Sequence, residues 1–239
     1  MDSMRNGTKK NHPVKICGMA AAICWIVFSM TLIIRLTAGD GGYLGYQMLK
    51  YAPPEVSLLP AGEYPGMGDM TAGYLTGRTE RFQYEFTDAS GKTVICFHDY
   101  EEAHMADCRD LIRLDRTVML LSGGALLILI GAGILKRRRS GDFCRGFLWG
   151  LRAVIAVAVI AAAWAVTDFS GFFITFHEIA FTNDGWLLNP GTDMLIRLMP
   201  EEFFISLGIR GAEWALAALA APAVAARIVL RKKKGRENV

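Results

Sequence analysis

Four stretches of the chain carry few or no charged residues and are long enough to cross a membrane. They cover residues 16–34, 117–135, 146–167 and 208–230. The first two are free of charge, the third contains only Arg152, and the fourth contains Pro222. A membrane-spanning helix needs about 20 apolar residues, so this pattern predicts four transmembrane helices. A proline inside a span is tolerated where neighbouring helices satisfy the freed carbonyl group.

The long segment between the first two spans shows the patterns of shorter elements. Residues 43–51 predict a short aromatic-rich helix of the kind that rests at a membrane interface. Residues 53–68 contain four prolines and several glycines, so we predict an irregular surface loop there. Residues 99–116 predict a helix that continues into the second span.

A β-hairpin is predicted within the same segment. Phe82, Tyr84 and Phe86 alternate with polar residues, which is the period of two of a half-buried strand. Residues 88–91 form a turn sequence, and residues 92–98 return as the second strand. Since one strand pair is marginally stable alone, it should pack on helices or gain a third strand.

The charges between the spans predict the orientation of the chain. Three segments are rich in basic residues. The first holds Arg5, Lys9, Lys10 and Lys15; the second holds residues 136–139 and Arg145; the third holds Arg227, residues 231–234 and Arg236. By contrast, residues 38–116 hold 13 acidic against 7 basic residues, and residues 168–206 hold 6 acidic against one. Because basic loops stay in the cytoplasm, both termini are predicted inside and both acidic segments outside.

These patterns divide the chain into nine segments. In chain order they are the cytoplasmic N-terminus 1–15, span 16–37, extracytoplasmic insertion 38–116, span 117–135, cytoplasmic loop 136–145, span 146–167, extracytoplasmic interfacial segment 168–206, span 207–230 and cytoplasmic tail 231–239. The first run is too long for a secretory signal and lacks a small-residue cleavage site, so we interpret it as an anchor.

Composition agrees with a membrane protein and excludes other classes. Of 239 residues, 52% are hydrophobic and 21% charged, and 26 basic against 23 acidic residues exclude a general nucleic-acid binder. Five cysteines without a CxxC pair support neither a zinc ribbon nor a dense disulfide framework. We therefore predict an α-helical membrane protein with four transmembrane helices and a small extracytoplasmic α+β insertion, a β-hairpin plus short helices, between spans 1 and 2.

His104 lies in the predicted helix over residues 99–116, between two carboxylates. Glu101 and Asp107 stand three residues before and after it, which places all three side chains on one helix face. A histidine with carboxylates beside it is a candidate base that its neighbours orient. The alternative is a solvated acidic face in which His104 is incidental.

His177 lies in an aromatic stretch of the second external segment. The surrounding residues Phe173, Phe176, Phe181 and Trp186 are candidates for a cleft that holds acyl chains. Burial among them would lower the pKa of the imidazole and keep it neutral, hence able to accept a proton. A packed structural histidine is compatible with the same pattern.

Metal and cofactor chemistry finds little support. His177-Glu178 begins like the HExxH motif of zinc proteases, but Phe181 stands where the second ligand must be. His98, His104 and His177 show no ligand spacing, and neither a Gly-rich phosphate loop nor a GxSxG elbow is present. We predict no cofactor and no metal site.

Two further pairs of side chains leave alternatives open. Cys96 and Cys108 could form a disulfide, or Cys108 could be a nucleophile beside His104. Arg210 and Glu213, three residues apart near the outer end of the fourth span, could pair with each other, or Arg210 could contact a lipid headgroup.

Two short blocks, each containing one of the two histidines, carry a family resemblance. They are residues 101–107, leading into a span, and residues 176–181 followed by Trp186, Asp193, Ile196, Pro200, Phe203 and Phe204. In their order, with the intervening span and the four-helix topology, they resemble the family of bacterial integral membrane proteins that includes the lipoprotein intramolecular transacylase. The resemblance extends over residues 14–230. Cys108 stands where an aliphatic residue is expected, and the proline-rich loop has no counterpart.

The resemblance implies an acyltransferase of the outer leaflet of the bacterial cytoplasmic membrane. It would move the sn-2 acyl chain of a diacylglyceryl-cysteine to the α-amino group of that cysteine and give a lyso-form lipoprotein. The family's two essential histidines correspond to His104 and His177. On this hypothesis Glu101 or Asp107 orients His104, Arg210 contacts a headgroup, and the partners are diacylglyceryl-modified lipoproteins and membrane lipid.

Two other functions are compatible with the sequence. One is a non-enzymatic membrane adaptor in which both histidines are merely packed. The other is a phospholipase or acyltransferase that uses the same histidines on free lipid.

Overall fold

The structure is a computed structural model that describes residues 12–135 and 140–237. Its elements are, in chain order, α1 (His12–Ala38), α2 (Gly41–Tyr51), α3 (Pro54–Ser57), a 3-10 turn (Ala61–Glu63), α4 (Tyr64–Thr76), β1 (Glu85–Thr87), β2 (Thr93–Ile95), α5 (Asp99–Leu135), α6 (Ser140–Thr167), α7 (Phe169–Ala180), α8 (Met194–Leu198) and α9 (Glu201–Glu237). The basic residues Arg5, Lys9, Lys10 and 136–139, used above to predict orientation, lie outside the described residues.

Four of these helices, α1, α5, α6 and α9, are long and apolar enough to cross a membrane. This confirms the predicted class of four-helix membrane protein with a small β-hairpin. Both α5 and α9 have 37 residues, and at 1.5 Å per residue each is roughly 55 Å long. Because the hydrocarbon core is about 30 Å thick, about half of each helix extends beyond it. The first, charged half of α5 carries His104.

The chain divides into two compact units, and the first comprises Met1–Leu32, Thr117–Ala163 and Ala212–Val239. Its core contains Ala21, Ala22, Leu126, Phe147 and Leu151. Small residues bring α1 and α6 into close contact: a Cβ on Gly18 would collide with the Phe143 carbonyl oxygen, and one on Gly146 with the Lys15 carbonyl oxygen. Such small-residue contacts are typical of membrane helices, which associate by close packing.

The second unit comprises Ile33–Arg116 and Trp164–Gly211 and contains both candidate histidines. Its core brings together residues from α2, α4, the hairpin segment, α5, α8 and the start of α9. Its largest fully buried side chains include Met48, Leu59, Tyr64, Met67, Phe82, Leu198 and Phe203.

The predicted irregular surface loop over residues 53–68 is wrong. The segment holds α3, the 3-10 turn and the start of α4, and it contributes Leu59, Tyr64 and Met67 to the core. Its prolines do not break these helices, because Pro54 and Pro65 occupy first-turn positions, where no intrahelical N–H bond is lost.

The predicted hairpin is present with shorter strands than expected. Strands β1 and β2 pair antiparallel with Phe86 opposite Val94. In the turn between them, the Asp88 carboxylate accepts hydrogen bonds from the Ser90 and Lys92 backbone N–H groups. Phe86 packs into the helical core of the second unit together with Phe82. The hairpin therefore gains stability from helices, and the described sheet has two strands.

Candidate active site

The structure brings His104 and His177 together, although 73 positions separate them in the sequence. His104 lies in the second turn of α5, and His177 lies near the end of α7. Their ring centroids are 6.1 Å apart, and each residue is only 7% exposed. Two imidazoles at this separation can contact neighbouring atoms of one bound group.

Helix α7 fixes the position of the His177 ring. The helix begins after Asp168, whose carboxylate accepts the Gly171 backbone N–H. Nδ1 of His177 is 2.7 Å from the Phe173 carbonyl oxygen, one turn earlier. Since a carbonyl oxygen only accepts, Nδ1 carries a proton and donates it. In its neutral form, His177 therefore presents the lone pair of Nε2.

Four aromatic rings surround His177, as the sequence predicts for its neighbourhood. The centroid distances from the His177 ring are 4.2 Å to Phe173, 5.4 Å to Phe176, 5.5 Å to Phe181 and 5.0 Å to Trp186. Phe181 also contacts the His104 ring edge-on at 5.1 Å, so it lies beside both imidazoles. Phe176 is 49% exposed, so the aromatic wall continues to the surface.

His104 has a different environment from His177. Its Nε2 is 3.6 Å from Sγ of Cys108, and its Nδ1 is buried without a hydrogen-bond partner among the described residues. Burial lowers the pKa of His104 to about 4, and His177 acts in the same direction, against the weaker opposite effect of Asp107. His104 precedes the apolar stretch of α5, and it is neutral near pH 7.

Glu101 does not orient His104. The carboxylate is fully buried and accepts hydrogen bonds from the His98 and Leu195 backbone N–H groups, at 2.8 Å each. It also lies 2.9 Å from Nδ1 of His98. The contact to His98 caps the start of α5, and the contact to Leu195 joins α5 to α8. Glu101 and His104 lie on the same helix, as the sequence predicts, but the Glu101 carboxylate binds the helix cap at His98 and Leu195 at the start of α8.

Asp107 and Arg210 each bind a residue that the sequence analysis did not name as a partner. Asp107 accepts a hydrogen bond of 2.9 Å from Nδ2 of Asn183, which joins α5 to the loop after α7. Arg210 binds Asp40 at 2.7 Å and lies over the Tyr43 ring, 3.9 Å from its centroid. This arginine lowers the pKa of Asp40.

Asp193 is a supporting residue whose role the sequence analysis did not assign. It is 3% exposed and accepts hydrogen bonds from the hydroxyl groups of Tyr100 and Thr192, at 2.6 Å each, and from the Asn189 N–H at 2.7 Å. It thereby attaches the loop before α8 to the first turn of α5. The turn-forming run Asn-Pro-Gly-Thr-Asp at residues 189–193 is the sequence signal for such a self-bonded loop.

The cysteines near the site are thiols. Cys96 and Cys108 are both free rather than bridged, and burial raises the pKa of Cys96 to about 12. Cys108 touches His104, but burial raises the pKa of its thiol to about 12 and Asp107 acts in the same direction, which disfavours the thiolate needed of a nucleophile. Within residues 12–135 and 140–237, no three side chains of His, Cys, Asp or Glu are grouped to hold a metal ion.

Comparison with known proteins gives one family match. The model of the lipoprotein intramolecular transacylase family, Lit, matches residues 19–204. The comparison with curated proteins finds no match.

Solved structures with the same fold are also found. A structure of the membrane integral lipoprotein intramolecular transacylase Lit from Bacillus cereus is 18% identical, covers 95% of this chain and 99% of its own, and has a TM-score of 0.71. Structures of two histidine variants of that protein are similar too. The arginine variant is 17% identical, with 98% of each chain covered and a TM-score of 0.66. The alanine variant is 19% identical, with coverage of 96% and 99% and a TM-score of 0.68.

Proposed function

Because the chain belongs to the lipoprotein intramolecular transacylase family, a family of acyltransferases, we propose that it transfers an acyl chain within one lipoprotein molecule. The acyl chain moves from the sn-2 oxygen of the diacylglyceryl-cysteine to the α-amino group of that cysteine. The observation that carries this proposal is the pair of buried imidazoles, 6.1 Å apart, in an aromatic enclosure. Aminolysis of an ester needs a proton acceptor for the amine and stabilisation of the oxyanion, which such a pair supplies.

His177 is the general base in this proposal. The neutral amine nitrogen attacks the ester carbonyl carbon, and one N–H proton passes to Nε2 of His177. The bond between the carbonyl carbon and the sn-2 oxygen then breaks, and His177 returns the proton to that oxygen. An amide and a free sn-2 hydroxyl result, with no acyl-enzyme. The bond from Nδ1 to Phe173 supports this role, because it leaves Nε2 as the acceptor.

His104 serves the ester side as a hydrogen-bond donor. Its lowered pKa makes it a poor proton carrier at pH 7, but a neutral imidazole can still donate from Nδ1. The Cys108 thiol beside Nε2 supports the tautomer with the proton on Nδ1. The unpartnered Nδ1 would then donate to the developing oxyanion.

The aromatic enclosure has two roles in the proposal. Phe173, Phe176, Phe181 and Trp186 give the acyl chain an apolar surface, and they exclude water that would hydrolyse the ester. Since ester and amine belong to one molecule, the substrate itself supplies proximity. The protein therefore needs mainly to orient the two groups.

Replacement of each histidine tests the proposal. In His177→Ala we expect acyl transfer to fall by about 10²–10⁴-fold, as for loss of a general base. In His104→Ala we expect a fall of about 10²–10³-fold, as for loss of one oxyanion donor. The rate is measured with purified protein and a diacylglyceryl lipoprotein, by mass spectrometry of the N-terminal peptide.

The control is His12→Ala, which removes an exposed histidine and should leave the rate unchanged. Undiminished N-acylation by both site variants would contradict the proposed roles of the histidines, and a lack of N-acylation by the wild type would contradict the enzyme proposal and favour an adaptor. Release of fatty acid from phospholipid alone, without amide formation on the lipoprotein, would identify a phospholipase instead.

We also propose that the site faces the outside of the bacterial cytoplasmic membrane, with both termini inside. The acidic excess in residues 38–116 and 168–206 supports this orientation. Diacylglyceryl-modified lipoproteins are the proposed partners, because their ester and amine are the two groups that the chemistry requires.

A further inference from the structure

A cavity within the same unit as the histidines is lined by four arginines. They are Arg35 from the end of α1 and Arg109, Arg113 and Arg116 from α5. The other lining residues are Leu75, Thr76, Gly77 and Ile112, so no carboxylate lines the cavity. We call it the arginine pocket. None of its lining residues belongs to the candidate active site.

The arginine pocket concentrates positive charge in an otherwise acidic segment. Residues 109, 113 and 116 are spaced by four and three, which places their side chains on one face of α5. Two carboxylates interact with these arginines: Asp110 pairs with Arg113 at 2.7 Å, and Asp115 interacts electrostatically with Arg35. The lining of the pocket itself thus holds guanidinium groups and no carboxylate.

The main-chain groups around the pocket add little negative charge. The pocket is closed on one side by the last residues of α4, but a helix carbonyl end is worth only about half a negative charge. Arg109 donates from Nη1 to the Glu80 carbonyl oxygen at 3.2 Å and lies over the Tyr74 ring. Its Nε is buried and has no hydrogen-bond partner in the part of the chain that the structure describes. An anion bound in the pocket would accept a hydrogen bond from this Nε–H group of Arg109.

The size and sequence position of the pocket indicate which anion it takes. Its volume is about 230 Å³, several times the roughly 30 Å³ of a water molecule but below the ~300–1,000 Å³ of pockets that enclose whole small molecules. Arg35 directly follows the first apolar run and Arg116 directly precedes the second. Arginines at span ends stand at the level of lipid headgroups, and guanidinium groups match phosphate by paired hydrogen bonds.

We propose that the arginine pocket binds a phosphate group, carried by a membrane phospholipid or by free phosphate. The bound group places negative charge among the arginines and connects the end of α1 to α5. The reaction proposed above uses no phosphate, so this site serves phosphate binding rather than acyl transfer.

Thermal unfolding of the full chain tests the site. The protein is purified in uncharged detergent without phosphate buffer and heated with phosphatidylglycerol, inorganic phosphate or a diacylglycerol of the same acyl chains. We expect the Tm to rise with phosphatidylglycerol and not with diacylglycerol. A rise with inorganic phosphate as well would identify free phosphate as a sufficient ligand; its absence would identify a phospholipid.

Arginine variants make the test specific. In Arg116→Gln, whose side chain is exposed, phosphate affinity should fall by about tenfold, as for loss of one charge-assisted hydrogen bond. In Arg109→Gln/Arg116→Gln the Tm shift should disappear. The control Arg81→Gln removes an arginine that pairs with Glu102 outside the pocket and should keep the full shift.

Two results would overturn the proposal. One is the lack of any Tm shift in the wild type with either phosphate-containing ligand. The other is an undiminished affinity in Arg116→Gln, which tests the site even if the double variant does not fold.

Discussion

His104 and His177 differ in the nitrogen that each leaves open. The carbonyl of Phe173 fixes Nδ1 of His177 as a donor, so a proton acceptor is available at Nε2. His104 has its open nitrogen at Nδ1 and a thiol at Nε2. The same residue type thus supports an acceptor on one side of the site and a donor on the other, because the neighbours differ.

The pKa of His104 gives a prediction at the residue scale. Its pKa in the folded protein is about 4, below the ordinary value of 6.5, so the unfolded chain binds this proton more readily. The contribution to stability is therefore complete above pH 6.5 and is lost as the pH falls towards 4. We expect the ring of His104 to show no titration between pH 5 and 8 in NMR spectra of histidine-labelled protein.

The variant His104→Gln identifies the NMR signal of the His104 ring, because that signal disappears. The free energy of unfolding should also fall less on acidification in this variant, because the titrating group is gone. Titration of the His104 ring near pH 6.5 would contradict the prediction, and with it the role of a neutral donor.

Helices α2 and α4 show at the element scale how glycine permits a packing that sequence patterns miss. A Cβ on Gly68 would collide with the Gly41 carbonyl oxygen and the Gly45 backbone. These glycines therefore let two helix backbones touch. The result is the buried packing of Met48 and Met67 in the core of the second unit.

We expect Gly68→Ala to lower the free energy of unfolding by about 1–3 kcal/mol, since the two helices must separate to accommodate the methyl group. Gly62→Ala is the matched control, because a Cβ there meets no atom within 4 Å. Denaturant unfolding in detergent measures both variants. An unchanged midpoint for Gly68→Ala would show that α2 and α4 pack less closely than described.

The elements also show which predictions the sequence permits. Long uncharged runs and alternating aromatics are local patterns, so the four membrane helices and the hairpin could be predicted. The helices within residues 53–68 could not be predicted, because a proline- and glycine-rich composition is also typical of irregular loops. Their formation depends on packing against other helices, which the local sequence does not show. Likewise, the spacing of Glu101 and His104 predicts a shared face, but the position of α8, which takes the carboxylate, depends on tertiary structure.

At the scale of the whole molecule, the proposed orientation gives a prediction for intact cells. Ser90 lies in the turn of the hairpin and Lys234 lies near the end of α9, and both are exposed. We expect Ser90→Cys to react with a membrane-impermeant maleimide in intact cells, because residues 38–116 are proposed to lie outside. Lys234→Cys should react only after the membrane is permeabilised.

The reverse pattern would place the histidines on the cytoplasmic side, where the outer-leaflet ester could not reach them. The parent chain, with its five native cysteines, serves as the background control for both labelling experiments.

The buried carboxylate of Glu101 has a consequence for biosynthesis. It caps α5 through His98 and also holds Leu195, which leaves the ribosome almost a hundred residues later. Until that later segment arrives, the carboxylate lacks one of its donors, and the partner of His104 on α7 has only just emerged. The two histidines proposed to act in acyl transfer therefore come together only late in synthesis, so an unfinished chain could not carry out the proposed transfer.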